Sequence, residues 1–276
     1  MPFTLAHPVA AIPCRHLLGP ASVLSALIIG SMVPDLIHFL PLGIRRPSSH
    51  SLAGLFWFCL PAGLLSYSVW HIGLRPIVTA LLPLPVRQCL PRLPGVAWLP
   101  DAPLWAVVVS LTVGAATHLL WDACTHSDGF VVAVLPALRI VLWDIGGYRV
   151  FVYKLLQHGG SAFGLCMLAF WSWQWMRAAS MARVLDDWQP PAVVRRAVCL
   201  GLLLVPLGGG VVAGLGHIRQ ATGVWALQRF MGYGVIMALT LLVVLLLVGG
   251  MLWRLWEAHE KSRQVAPTPE RLTPTG

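Results

Sequence analysis

Five stretches of this sequence, residues 52–70, 103–121, 161–175, 197–215 and 231–253, are apolar over lengths close to a membrane span. A helix needs roughly 20 such residues to cross a hydrocarbon core. Only 11% of the 276 residues are charged and the mean hydropathy is +0.76, whereas about a quarter of a soluble domain is charged. The expected class is all-α: a polytopic membrane helix bundle with about five spanning helices. Trp70, Trp105, Trp121, Trp143 and Trp253 fall near the expected span ends, where an amphipathic indole prefers the headgroup region.

The first 38 residues fit no simple span. Gly19-Pro20 divides residues 8–33 into two short apolar pieces, which predicts an N-terminal helical hairpin, re-entrant or interfacial, with both ends on one side. Pro34 disfavours helix at Val33, so Asp35 is expected just past a helix end, beside His7. His7, Pro8, Pro13, Arg15 and His16 interrupt the N-terminus, an arrangement unlike a cleaved signal peptide. A single membrane domain is expected over residues 1–256, with residues 1–160 carrying a site and 161–256 forming scaffold helices. The polar, proline-containing residues 257–276 are expected to be a disordered tail.

Following the spans back and forth brings particular side chains to one end of the bundle. His50 opens the excursion through residues 52–70, the Pro- and Arg-rich loop over 74–100 turns the chain around, and Asp122 closes the return. The stretch 130–143, broken by Pro136, is too short to span and is expected in the interface or as a lid. His158 precedes Gly159-Gly160 and the next span, again at the same end.

The densest signal is Thr117-His118-Leu119-Leu120-Trp121-Asp122-Ala123-Cys124-Thr125-His126. Positions four apart on a helix differ by about 40° in direction and about 6 Å in height, so His118, Asp122 and His126 share a stripe. Such a pair could be a structural polar clamp. Ionisable groups inside a membrane are costly, however, and generally mark function. The candidate metal ligands are His7, Asp35, His50, His118, Asp122 and His158, enough nitrogen and oxygen for one or two divalent ions. Each has a plainer role available: His7 an interfacial residue, Asp35 a turn former, and His50 or His158 a helix cap. Only their convergence favours ligation. His38 could join if its segment is helical, Asp128 reads as a turn residue, and Arg45, Arg46, Arg139 and Lys154 read as lipid-facing charges that would also suit a phosphate.

Cys14, Cys59, Cys89, Cys124, Cys166 and Cys199 are scattered without a C-x-x-C pair and read as small buried hydrophobes. The formal charge of +9 is carried by loops and tail, which points to anionic lipid headgroups as partners and away from nucleic acid. Basic residues are fewer at the site end, where Arg45, Arg46, Arg139, Arg149, Lys154, Arg219 and Arg229 lie, than at the opposite end and in the tail. That predicts an exoplasmic site and a cytosolic tail in a bacterial inner membrane. The last two spans carry no internal acid and could pair copies of the chain.

The ordered set Pro2-Phe3-Thr4-Leu5-Ala6-His7-Pro8, Gly30-Ser31-Met32-Val33-Pro34-Asp35, His50-Ser51-Leu52, Thr117-His118-Leu119-Leu120-Trp121-Asp122 and Leu156-Gln157-His158-Gly159 resembles a bacterial membrane family catalogued as domain of unknown function 4184. That family is similar in turn to predicted membrane-bound metal-dependent hydrolases. The resemblance implies a metal-dependent hydrolase and carries over no substrate; the expected reaction is hydrolysis of an ester or phosphoester, in a lipid or lipid-linked substrate, and the nitrogen-rich ligand set favours zinc, with manganese or iron next. Asp35, Asp122 or His126 would then be the catalytic groups, a carboxylate that holds no metal or His126 serving as general base. A metal or proton-coupled transporter and a noncatalytic scaffold are the other classes these residues allow.

Overall fold

The computed structural model describes residues 3–39, 46–83, 86–87, 102–178, 192–218 and 222–265. Arg45, Cys89, most of the 84–101 loop and residues 266–276 of the expected tail lie outside the described residues. The chain runs through two short helices, α1 (Pro8–Ala11) and α2 (Cys14–Leu18), a 3-10 turn over Gly19–Ala21, then α3 (Leu24–Gly30) and a 3-10 segment over Val33–His38 that carries Asp35. Gly19 adopts φ +52° at the reversal, a left-handed conformation that glycine reaches without penalty. The helical hairpin expected from Gly19-Pro20 is therefore present.

After α4 (Arg46–Ser49) comes α5 (Leu52–Leu81). It continues well beyond the expected end at residue 70 despite Pro61 and Pro76. Each proline lacks the N–H that an α-helix needs and crowds the preceding turn. A wide π turn precedes each one, over Leu55–Cys59 and Val69–Leu74, so that each proline falls in the first turn of a fresh α segment, where no donor is required.

The central element is α6 (Leu104–Thr125). Its buried residues include Val107, Ser110, Leu111, Gly114, His118 and Asp122, a stripe at helical spacing that faces α3. Three contacts along this stripe fix α3 from end to end. The Ser110 hydroxyl accepts from the Val23 N–H at 2.9 Å and donates to the Ala21 carbonyl at 3.2 Å. Gly114 lies against the Leu27 carbonyl and Gly30 against the Leu111 carbonyl, so closely that a Cβ at either position would overlap backbone. His118 Nδ1 donates to the Ser31 carbonyl at 2.7 Å, beyond the last turn of α3. Small residues of this kind let two helices approach backbone to backbone.

Beyond α6, the stretch 130–143 does not form one interfacial element. It breaks into α7 (Phe130–Val134), a 3-10 turn over Pro136–Arg139 and the start of β1 (Val141–Ile145), which pairs antiparallel with β2 (Tyr148–Phe151). Gly146 and Gly147, at φ +58° and +82°, make the tight turn, and a Gly-Gly pair between β-branched and aromatic runs is a recognised hairpin signal. Then follow α8 (Val152–Ala178), α9 (Ala192–His217) and α10 (Gly223–Val265).

Among the described residues, four helical stretches are long and apolar enough to cross a membrane: Leu52–Leu81, Leu104–Val134, Ala192–His217 and Gly223–Trp256. The expected span over 161–175 lies in α8, which has the length but is not one of the four. Its serines, Gln157, Gln174, Lys154 and Arg177 dilute its apolar character. The last helix continues through Val265, nine residues into the segment expected as tail. α10 packs on α9 and on α5, where Arg254 donates to the Ile72 carbonyl at 2.7 and 3.0 Å, an acceptor within the second π turn.

Gly114→Ala should lower stability in detergent by about 1–3 kcal/mol through overpacking, although alanine is the better helix former. Gly232→Ala, with open space around its Cβ position, should be neutral or slightly stabilising. Paired thermal unfolding curves check this.

Candidate metal centre

Where α6 ends, four side chains from three parts of the chain converge. Asp35 comes from the 3-10 segment after α3, His50 from the turn between α4 and α5, and His118 and Asp122 from successive turns of α6. One ligand atom from each lies within 4.8 Å of all the others. All four side chains are at least nine-tenths buried. His50 Nε2 is 3.4 Å from both Asp35 Oδ1 and Asp122 Oδ2, and His118 Nε2 is 3.7 and 3.5 Å from the same atoms.

Hydrogen bonds outside the cluster fix what each group presents to it. His118 donates its Nδ1 proton to the Ser31 carbonyl. The Ser49 hydroxyl donates to the Arg46 carbonyl, so its oxygen accepts from His50 Nδ1 at 2.8 Å. A neutral imidazole that gives its proton from Nδ1 keeps a lone pair on Nε2. Both Nε2 atoms are buried without a hydrogen-bond partner. The Thr4 hydroxyl donates to Asp35 Oδ2 at 2.7 Å, leaving Oδ1 turned inward. Two imidazole lone pairs thus face two carboxylate oxygens, and such a set needs a cation among them. Outer hydrogen bonds that orient a ligand's donor atom are typical of metal sites.

The electrostatics outside the spans express the same demand. Burial pushes the Asp35 carboxyl upward, but the His50 imidazole, the neighbouring His118 ring and the Thr4 hydroxyl outweigh it and hold the group below the usual carboxylate range. Burial likewise opposes charge on His50, yet the Asp122 and Asp35 carboxylates raise its pKa above the ordinary value. Positive charge at this point is stabilised, whether a proton or a metal supplies it.

This chain belongs to the family described as Domain of unknown function (DUF4184). The match covers residues 1–259 and so includes every residue of the cluster. No curated protein and no solved structure matches the chain.

Of the six candidate ligands, the fold brings five into the cluster or onto its edge, and His126 and His38 lie there too. His7, fully buried, places Nε2 3.4 Å from Asp122 Oδ1 and stacks on His118 at 3.8 Å between ring centroids. His126 follows the last turn of α6 in extended conformation rather than continuing the helix, but its Nδ1 still lies 3.3 Å from Asp122 Oδ1. His38 is at the margin, 3.8 Å from Asp35 Oδ1. His158 is the exception. It is exposed on α8 and makes no contact with the cluster among the described residues. Its neighbour Gln157 is buried and meets His126 at 3.4 Å. Tyr153, Gln157 and Gly164 form the inward stripe of α8, and that spacing distinguishes Gln157 from a histidine one position off the stripe.

Two further residues behave otherwise than the sequence suggested. Arg46 is turned inward, its guanidinium bridging Asp122 Oδ2 and Asp128 Oδ2 at 2.6 Å each. Asp128 is thereby more than a turn former. Thr4 and Ser49, which orient Asp35 and His50, carried no signal of their own beyond standing near candidate ligands.

His158→Ala should leave zinc content unchanged. Thr4→Val, which keeps the shape of the side chain but removes the bond to Asp35, should weaken zinc binding about 10-fold or more. Equilibrium dialysis against buffered zinc measures both.

Proposed function

We propose that this chain is an integral-membrane, metal-dependent hydrolase acting on an ester or phosphoester of a lipid or lipid-linked substrate. The observation that carries the reading is the buried set of two orphaned imidazole nitrogens and two carboxylates, with His50, His118 and Asp35 each oriented by an outer hydrogen bond and Asp122 paired with Arg46. Asp35, His50, His118 and Asp122 would hold the ion, zinc first by its nitrogen-rich donors, then manganese or iron. A divalent ion there supplies Lewis-acid polarisation and lowers the pKa of water.

The chain's own residues supply the rest. Arg46, on the partly exposed side of the cluster, is placed to orient an anionic group, which favours a phosphoester over a neutral ester. His126 stands between Asp122 and Gln157 and is the candidate general base. An open groove of about 370 Å³, lined by Trp121, Cys124, Thr125, Leu156, Gly159, Gly160 and Phe163, runs between α6 and α8 beside His126. Its lining is almost wholly apolar, as an acyl or prenyl chain entering from the membrane plane would require. The site is read as exoplasmic and the tail as cytosolic, on the imbalance of basic residues.

A second reading, a metal or proton-coupled transporter, draws on one specific observation. Ser25 on α3 meets His71 Nε2 at 3.1 Å, Tyr67 packs on the same imidazole, and both His71 Nδ1 and the Tyr67 hydroxyl are buried without a hydrogen-bond partner. Tyr67 and His71 belong to the membrane-crossing stretch Leu52–Leu81, Ser25 to the short α3, and none of the three belongs to the cluster.

Metal content of the detergent-purified protein, beside His118→Ala and Asp122→Asn variants matched for folding, tests the reading first. Bound metal should fall at least 10-fold in both variants, and turnover of a lipid phosphoester should fall at least 100-fold. A wild type without metal after reconstitution with zinc, manganese and iron defeats it. Metal-dependent flux in proteoliposomes that Ser25→Ala and His71→Ala abolish, without hydrolysis, would establish the transporter instead.

A further inference from the structure

Asp122 presents its two oxygens to two different pairs of imidazoles. Oδ2 faces His50 and His118 and also accepts from Arg46 at 2.6 Å, whereas Oδ1 faces His7 Nε2 at 3.4 Å and His126 Nδ1 at 3.3 Å. The second pair is not accounted for by the cluster of four, and each of its rings has a partner on its other nitrogen.

His7 stands between two acceptors. Its Nδ1 lies 3.3 Å from the Thr4 carbonyl and its Nε2 lies against Asp122 Oδ1. A neutral ring has one proton for two acceptors. With Nδ1–H given to Thr4, Nε2 turns a lone pair toward a carboxylate oxygen, as His50 and His118 do. His126 is similar: its Nε2 meets the Gln157 amide at 3.4 Å and its Nδ1 lies on the Asp122 side. An amide can present nitrogen or, turned over, oxygen. With oxygen presented, His126 donates from Nε2 and keeps the Nδ1 lone pair. The Thr125 hydroxyl, 3.3 Å from the same Nδ1, already donates to the Trp121 carbonyl and offers that nitrogen no competing proton.

We propose that the centre is dinuclear. The first position is held by Asp35, His50, His118 and Asp122 Oδ2, and the second by His7 Nε2, His126 Nδ1 and Asp122 Oδ1, with the Asp122 carboxylate bridging the two. This deepens the metal-site reading given under Proposed function and rests on it. The second position has three protein donors against four, and His126 is 12% exposed where the first-position side chains are 6% or less. It is therefore the weaker, exchangeable position. Two ions sharing a carboxylate suit a substrate that offers two oxygens at once, a phosphoester rather than a carboxylic ester.

Zinc stoichiometry of the full-length protein in detergent, measured by mass spectrometry after dialysis at graded free zinc, decides the matter. The wild type should fill in two steps, to two ions per chain. His126→Ala should retain one tight ion and lose the weaker step, whereas Asp122→Asn should lose both. A second measurement does not depend on any variant folding: the wild type loaded with manganese should give the exchange-coupled spectrum of a bridged pair in electron paramagnetic resonance. One ion per chain with an uncoupled six-line spectrum, or two uncoupled ions both retained in His126→Ala, overturns the dinuclear centre and leaves the single-metal reading standing. No bound ion at all removes the metal-site reading itself.

Discussion

The hydrogen bond from His118 Nδ1 to the Ser31 carbonyl is the interaction on which the rest of the site depends. It supplies a partner to a carbonyl at the end of a helix, which would otherwise be left unsatisfied inside the bundle. It also sets the tautomer of His118 and thus aims the Nε2 lone pair into the cluster. Because Asp35 follows Ser31 by four residues along a tight 3-10 segment, the same bond sets the distance between the two. Ser110 and Gly114 earlier on α6 hold α3 in the register that makes the bond possible.

Around that frame the charge pattern is economical. Within the cluster the carboxylates outnumber the compensating protons once the imidazoles give theirs to Ser31 and Ser49. Arg46 meets part of the deficit from one side, bound to Asp122 and Asp128. It carries a fixed charge and five donors but no lone pair, so it can steady a carboxylate or an anionic ligand without itself binding a metal. The protein thereby keeps a cation-seeking centre and an anion-seeking arm within one residue of each other, with Asp122 common to both.

Much of this was legible in the sequence because the informative residues are rare in an apolar chain. His118 and Asp122 stand four apart on a long helix, and the Gly19-Pro20 break returns Asp35 to the neighbourhood of His7. What the sequence concealed follows from three physical causes. Composition marks chemistry but not direction, so His158 drew attention that belonged to Gln157, one position away and about 100° around the helix. Hydropathy averages hide backbone irregularity, so the π turns that carry α5 past Pro61 and Pro76 were invisible, as was the Gly146-Gly147 hairpin within a stretch read only as apolar. And a hydroxyl such as that of Thr4 or Ser49 matters through one partner brought close by the fold, which no local pattern announces.

The N-terminal hairpin has a consequence for how the protein is made. α1, α2 and α3 have four, five and seven residues, and none is long enough to be threaded across a bilayer by itself. Yet these segments emerge from the ribosome before everything that holds them. The partners of Val23 and Ser31 lie 87 residues downstream, and that of His7 lies 115 residues downstream. The first 38 residues therefore cannot make these contacts until α6 has been synthesised. Chain synthesis and site assembly run in opposite order: His118, translated long after Asp35, is the residue that gives Asp35 its place.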